Sequence, residues 1–191
     1  MRHVISALVM NEPGVLANVA GMFAARGFNI DSLVVGRTEN PDLSRMTIVV
    51  TADENTLEQV RKQLAKLVPV VKVRDFADSA YVERDLALLT VGVAPEQRGQ
   101  VIELANLFRA KIVDVSPQSM LIELAGTEEK IEKFVELMKP YNITELARTG
   151  VIAMARGLQA TKDAAAVAAA AASKQRKRSI DAPATAALPP S

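Results

Sequence analysis

Apolar and polar positions follow two alternating periods along this chain. Residues 3–10 (HVISALVM) are an apolar run between Arg2 and Asn11, suited to a central strand covered on both faces. Val15, Leu16, Val19, Met22 and Phe23 then recur at helical spacing and put one apolar face on a helix. Gly27 stands where a helix C′ glycine belongs, because that position favours a left-handed backbone. Residues 28–37 read as a second strand, TENPDL at 38–43 as a turn, and the β-branched SRMTIVVTA at 44–52 as a third strand paired with it in a hairpin. Asp53 is a candidate N-cap for a helix striped by Leu57, Val60, Leu64 and Leu67, and residues 70–76 after Pro69 form a fourth strand.

The same order then returns. Residues 85–94 read as a strand, Pro95 opens a helix whose Val101, Ala105 and Phe108 share a face, and residues 111–115 and 119–125 flank the turn Ser116-Pro117-Gln118. Thr127 caps a helix carrying Ile131, Phe134, Val135 and Met138, Pro140 stops it, and residues 143–147 form a last strand. Residues 149–155 either extend that strand or form a short terminal element. The pattern predicts an α+β chain of two ferredoxin-like βαββαβ domains, each an antiparallel four-stranded sheet with two helices on one face. Residues 1–78 and 79–158 are the expected domains; 159–191 form an Ala-rich basic tail with nothing to bury, expected to be disordered.

Composition narrows the chemistry. At 191 residues the chain can build real cores, and its lack of cysteine rules out disulfides, Cys-based metal sites and a thiol nucleophile. The single histidine, His3, argues against histidine metal clusters and histidine relays, and reads as structural or exposed. Basic and acidic residues number 23 and 22, so no strong field for nucleic acid or anionic lipid is expected. Residues 157–191 hold five basic side chains (Lys162, Lys174, Arg176, Lys177, Arg178) and two acidic ones (Asp163, Asp181), which leaves 18 and 20 in the body. The cluster at 174–178 has no accompanying aromatics and reads as a solvated tail rather than a nucleic-acid site. No secretory leader pattern and no apolar run of membrane-spanning length stand out, so a soluble, cytoplasmic protein is expected.

One stretch has candidate binding chemistry. Asn11-Glu12-Pro13-Gly14 links the first strand to the first helix, with Pro13 suited to the first helical position and Asn11 or Glu12 at or beside the N-cap. Gly14 permits close approach to the backbone, and free N–H groups at a helix start attract a carboxylate. On spacing alone, a helix capped by its own side chains is the simpler account. The second repeat has no counterpart to this turn at 93–97. The helix carboxylates Glu54, Glu58, Glu128, Glu129, Glu132 and Glu136 lie opposite the apolar stripes, and no triad, phosphate-binding loop or dinucleotide-binding glycine pattern occurs. Nothing in the pattern points to an enzyme.

Longer motifs carry a resemblance. NEPGVLANVAGMFAARGFNIDSL followed by LSRMTIVV resembles the ACT domain of the small, regulatory subunit of acetolactate synthase, also called acetohydroxyacid synthase. VERDLALLTV, FRAKIVDVSP, IELAGTEEKIEKF and ARTGVIAMARG resemble the C-terminal domain of that subunit. The resemblance covers about residues 1–158. It implies a non-catalytic homodimer that binds a branched-chain amino acid, usually valine, between two ACT domains. It also implies a large catalytic subunit as partner, carrying thiamine diphosphate, Mg²⁺ and commonly FAD, with no cofactor on this chain. Matching positions would be Asn11, Gly14, Val15 and Leu16 on one side of the effector, and Asn29 and Ile30 of a second copy on the other. The alternative is a stand-alone ACT-domain amino-acid sensor, which would need a DNA-binding module to act on DNA.

Overall fold

The computed structural model describes residues 1–77, 79–157 and 172. The tail expectation for 159–191 otherwise lies outside the described residues. Two sheet-and-helix units follow one another, and both have the predicted ferredoxin-like strand order.

In the first unit, β1 (Arg2–Met10) lies between β3 (Leu43–Thr51) and β4 (Val70–Asp75), with β2 (Ser32–Arg37) on the far edge beside β3; all neighbours are antiparallel. Every β1 residue after Arg2 is buried, which explains the unbroken apolar run. Ile5, Ala7 and Val9 face α1 (Val15–Ala24) and α2 (Glu54–Lys66), packing with Val19, Phe23, Met46, Ile48 and Leu64 in one core. Burial of each such large side chain stabilises the fold by about 1.5–3 kcal/mol. The alternate residues Val4, Leu8 and Met10 face the other side of the sheet and are buried in separate clusters. Asp53 caps α2 as predicted, its Oδ1 accepting the Thr56 N–H at 2.7 Å.

One local expectation here requires correction. The second strand does not start at Phe28: the Phe28 N–H donates back to the Phe23 carbonyl at 3.0 Å, and the two rings meet edge to face 6.3 Å apart. Phe28 and Ile30 therefore bury their side chains against the core from a loop, and pairing with β3 starts only when the Asp31 N–H reaches the Val49 carbonyl. Of the two readings of His3, the structural one holds: it is buried, with Nε2 lacking a hydrogen-bond partner.

In the second unit, β5 (Tyr81–Gly92) pairs with β7 (Ser119–Gly126) and β8 (Ile143–Arg148), while β6 (Lys111–Ser116) lies at the edge beside β7. A short 3₁₀ turn at Pro95–Gln97 leads into α3 (Arg98–Leu107), and Thr127 caps α4 (Glu128–Met138) through the Lys130 N–H. Phe134, Met138, Ile131 and Val101 fill the core beneath the sheet with Leu89, Met120, Ile122 and Leu124. The strand predicted from residue 85 begins earlier, at Tyr81, because a terminal strand β9 (Ile152–Ala155) pairs with Tyr81–Arg84. That ribbon lies against the first unit: Val151 and Ala153 pack on Val4, Val49 and Phe76, with Tyr81 alongside. Among the described residues, no helix is long and apolar enough to cross a membrane.

Candidate functional site

The turn before α1 is a type II β-turn rather than a capped helix start. Pro13 occupies its second position and Gly14 its third, with φ 82° and ψ −12°, and the Val15 N–H meets the Glu12 carbonyl at 3.4 Å. The Pro-Gly pair is itself the sequence signal for this turn, because only the third position needs positive φ. Gly14 is thus the N-cap, no side chain caps the helix, and Pro13 lies outside it. Asn11 is occupied elsewhere: its Nδ2 donates to the Pro41 carbonyl at 2.9 Å and its Oδ1 accepts from the Ser44 hydroxyl at 3.1 Å. These bonds tie the turn to the β2–β3 hairpin and carry the Asn11 side chain away from the first-turn N–H groups.

The remaining residues of this half divide clearly. Val15 is buried in the core, whereas the Leu16 side chain is 46% exposed beside the turn. Nothing lies within 4 Å of where a Cβ on Gly14 would project. A positive backbone end, an open approach and an exposed apolar side chain therefore adjoin one another. That set can receive the carboxylate and apolar side chain of a small amphipathic anion.

Asn29 and Ile30 lie at the other end of the unit. The ten residues of α1 span about 15 Å, and Gly14 precedes the helix while Asn29 follows it. Strand register agrees, since Ser32 is level with Val49 and hence Val4 near the start of β1, whereas the turn leaves the end of β1. Asn29 is exposed, and its Nδ2 donates to Asp31 Oδ1 at 2.8 Å. One chain does not bring the two predicted halves together around one small molecule.

The equivalent helix start in the second unit also lacks a side-chain cap, but a 3₁₀ turn leads into it, with the Gln97 N–H on the Ala94 carbonyl at 3.0 Å and the Arg98 N–H on the Pro95 carbonyl. Arg98, the first residue of α3, donates to the carbonyls of Ser116 (2.9 Å) and Pro117, clamping the helix to the β6–β7 turn. Among the described residues, no group of three or more His, Asp or Glu side chains is placed to hold a metal ion.

The chain's relatives share both units. Residues 5–72 match the family described as AHAS small subunit-like ACT domain, and residues 84–157 match the small subunit of acetolactate synthase. A probable acetolactate synthase small subunit from Archaeoglobus fulgidus is 57% identical over 157 residues, 82% of this chain and 98% of the relative. The chain belongs to the acetolactate synthase small-subunit family. The Mycolicibacterium smegmatis small subunit is 50% identical over 155 residues, 81% of this chain and 91% of that one. The crystal structure of the Thermotoga maritima small subunit superposes with a TM-score of 0.76 at 44% identity, covering 82% of this chain and 98% of that one.

In this small-subunit chain, sequence reasoning missed the polar seam between the units. A cleft of about 460 Å³ there is lined by Arg2, Asp31, Thr51, Glu83, Glu128 and Glu132, among others. Arg2 bridges it, with Nη2 3.0 Å from Glu83 and Nε 2.6 Å from Glu128. Burial works against the Arg2 charge, but the carboxylates of Glu83 and Glu128 outweigh it and raise the guanidinium pKa.

Proposed function

We propose that this chain is the regulatory subunit of acetolactate synthase. It binds and activates the thiamine-diphosphate-dependent catalytic subunit and confers feedback inhibition by valine in branched-chain amino-acid biosynthesis. Thiamine diphosphate, Mg²⁺ and FAD belong to the catalytic partner, this chain supplies no catalytic site, and the complex works in the cytoplasm. The observation that carries the reading is the open glycine turn at Gly14 before α1 in a chain of this family.

Residues 1–78 form the effector-binding and dimerising ACT domain, and 79–158 the second regulatory domain. Valine is held between two copies. Backbone groups near Gly14 to Leu16 receive its carboxylate, with Asn11 and Val15 shaping the turn from behind. Asn29 of the second copy meets the polar head, and Ile30 with the exposed Leu16 surrounds the isopropyl group. The separation of the two halves within one chain supports this shared arrangement.

Regulation follows from linkage. Valine shifts activity only by binding one arrangement of the dimer better than the one that activates the catalytic subunit. The test is reconstitution with the catalytic subunit while titrating valine, leucine and isoleucine. Addition of this chain should raise acetolactate formation from pyruvate, and valine should reverse the gain. A catalytic subunit indifferent to this chain would overturn the assignment.

A further inference from the structure

Between the two units, one turn of the second is locked onto the first beside the Asn29–Ile30 half-site. Residues 149–151, between β8 and β9, are gathered around Asp85, whose carboxylate side chain is fully buried. Asp85 accepts from Arg148 Nε at 2.8 Å and from Arg148 Nη2. It also accepts from the Thr149 hydroxyl at 3.2 Å and the Gly150 N–H at 3.1 Å. Thr149 closes the arrangement by accepting the Leu86 N–H at 3.1 Å through its hydroxyl and donating its own N–H to the Leu86 carbonyl at 3.0 Å. A buried carboxylate with this many donors fixes the turn's shape, since losing any partner leaves buried charge uncompensated.

The turn presents that shape to β2. The Val151 N–H donates to the Ser32 hydroxyl oxygen at 3.2 Å. Gly150 has φ 84°, and a Cβ there would sit 2.6 Å from Ser32 Oγ and 2.9 Å from Val34 Cγ2, so glycine is what allows the seating. Ser32 follows Ile30 by two residues, and the intervening Asp31 both accepts from Asn29 and lines the charged cleft. Asn29 is thus joined through Asp31 to Ser32, one of the points at which the second unit is held, beside the Val4, Val49 and Phe76 packing and the Arg2 ion pairs.

We infer that Ser32 and the Asp85-locked turn at 149–151 are positioning elements that transmit occupancy of the Asn29–Ile30 half-site to the second unit. This rests on the effector reading given above. It assigns the seam a regulatory role, with neither Ser32 nor Asp85 touching the effector. Coupling requires a packed element whose arrangement both sites bias, and the turn seated on Ser32 and Val34 is the element assigned that part.

The test uses the full chain, Ser32→Ala and Gly150→Ala, with valine as the probe. Calorimetry on the parent comes first: absence of binding sinks the effector reading, and the inference with it, before any variant is made. Without ligand, the Val151 amide in Ser32→Ala should exchange about tenfold faster by NMR. Both variants should still bind valine in calorimetry, but the valine-linked change in exchange at 148–153 should vanish. With the catalytic subunit present, the factor by which it alters valine affinity should fall about fivefold towards one. Retention of both the exchange change and the affinity factor in both variants would overturn the inference while leaving the valine site intact.

Discussion

The two units share a strand order but enter their first helix through different turns. Neither helix has a side-chain cap, but in the first unit Pro13 and Gly14 make a type II turn with open space beside Gly14. In the second, a 3₁₀ turn at Pro95–Gln97 and the Arg98 clamp occupy the corresponding place. The fold requires neither solution, since each unit packs a complete core. The open end is therefore where binding chemistry can be added at little cost to the scaffold, while the closed end contributes stability.

The largest test of that contrast is Gly14→Asp. Positive φ strains any side chain there, and a carboxylate would face the ligand's own, so valine should bind about 100-fold more weakly or worse in calorimetry, with the circular dichroism spectrum unchanged. Arg98→Ala should do the reverse. Removing a charged donor from two carbonyls should lower unfolding free energy by about 1–3 kcal/mol in urea while valine affinity stays at the parental value. Asn29→His exchanges one polar contact for a poorer one and should weaken valine by about tenfold, giving an activator with blunted feedback in the reconstituted enzyme.

The smallest effect concerns the outward sheet faces. Lys111 of the second unit stands opposite Glu123 across β6 and β7, with 3.5 Å between Nζ and Oε1. In the first unit, Arg45 and Lys72 instead flank Leu8 on either side. Burial, then repulsion by Arg74 and Arg45, lowers the Lys72 pKa below its ordinary 10.5. The unfolded chain then binds this proton more tightly than the folded one. Stability should therefore rise gently as pH climbs from the lowered value to 10.5, and Lys72→Gln should flatten that rise in denaturant melts.

Much of this architecture was legible because local signals and packing agree. The Val4–Met10 run, the α2 stripe and the Asp53 and Thr127 caps lie where the residue pattern put them. Errors arose where a residue's partner is distant or unexpected. Phe28 has strand character yet buries its ring on Phe23, and Tyr81–Arg84 form strand only because residues 152–155 return to pair with them. Asn11 has the composition of a cap but spends both ends of its amide on the hairpin. The seam was the least legible part, because Ser32, Asp85 and Gly150 carry no signal until the chain brings them together.

On the proposed function, the open helix start in the first unit is half of a valine site shared by two copies. Calorimetric titration of valine into the full chain, alongside Gly14→Asp, Asn29→His and an equimolar mixture of those two variants, tests it most directly. Neither variant alone keeps an intact site, but exchange of subunits in the mixture creates dimers with one interface free of both substitutions. If two copies share the site, the mixture regains tight binding at a fraction of the parental sites. A mixture that binds no better than its two components would contradict it.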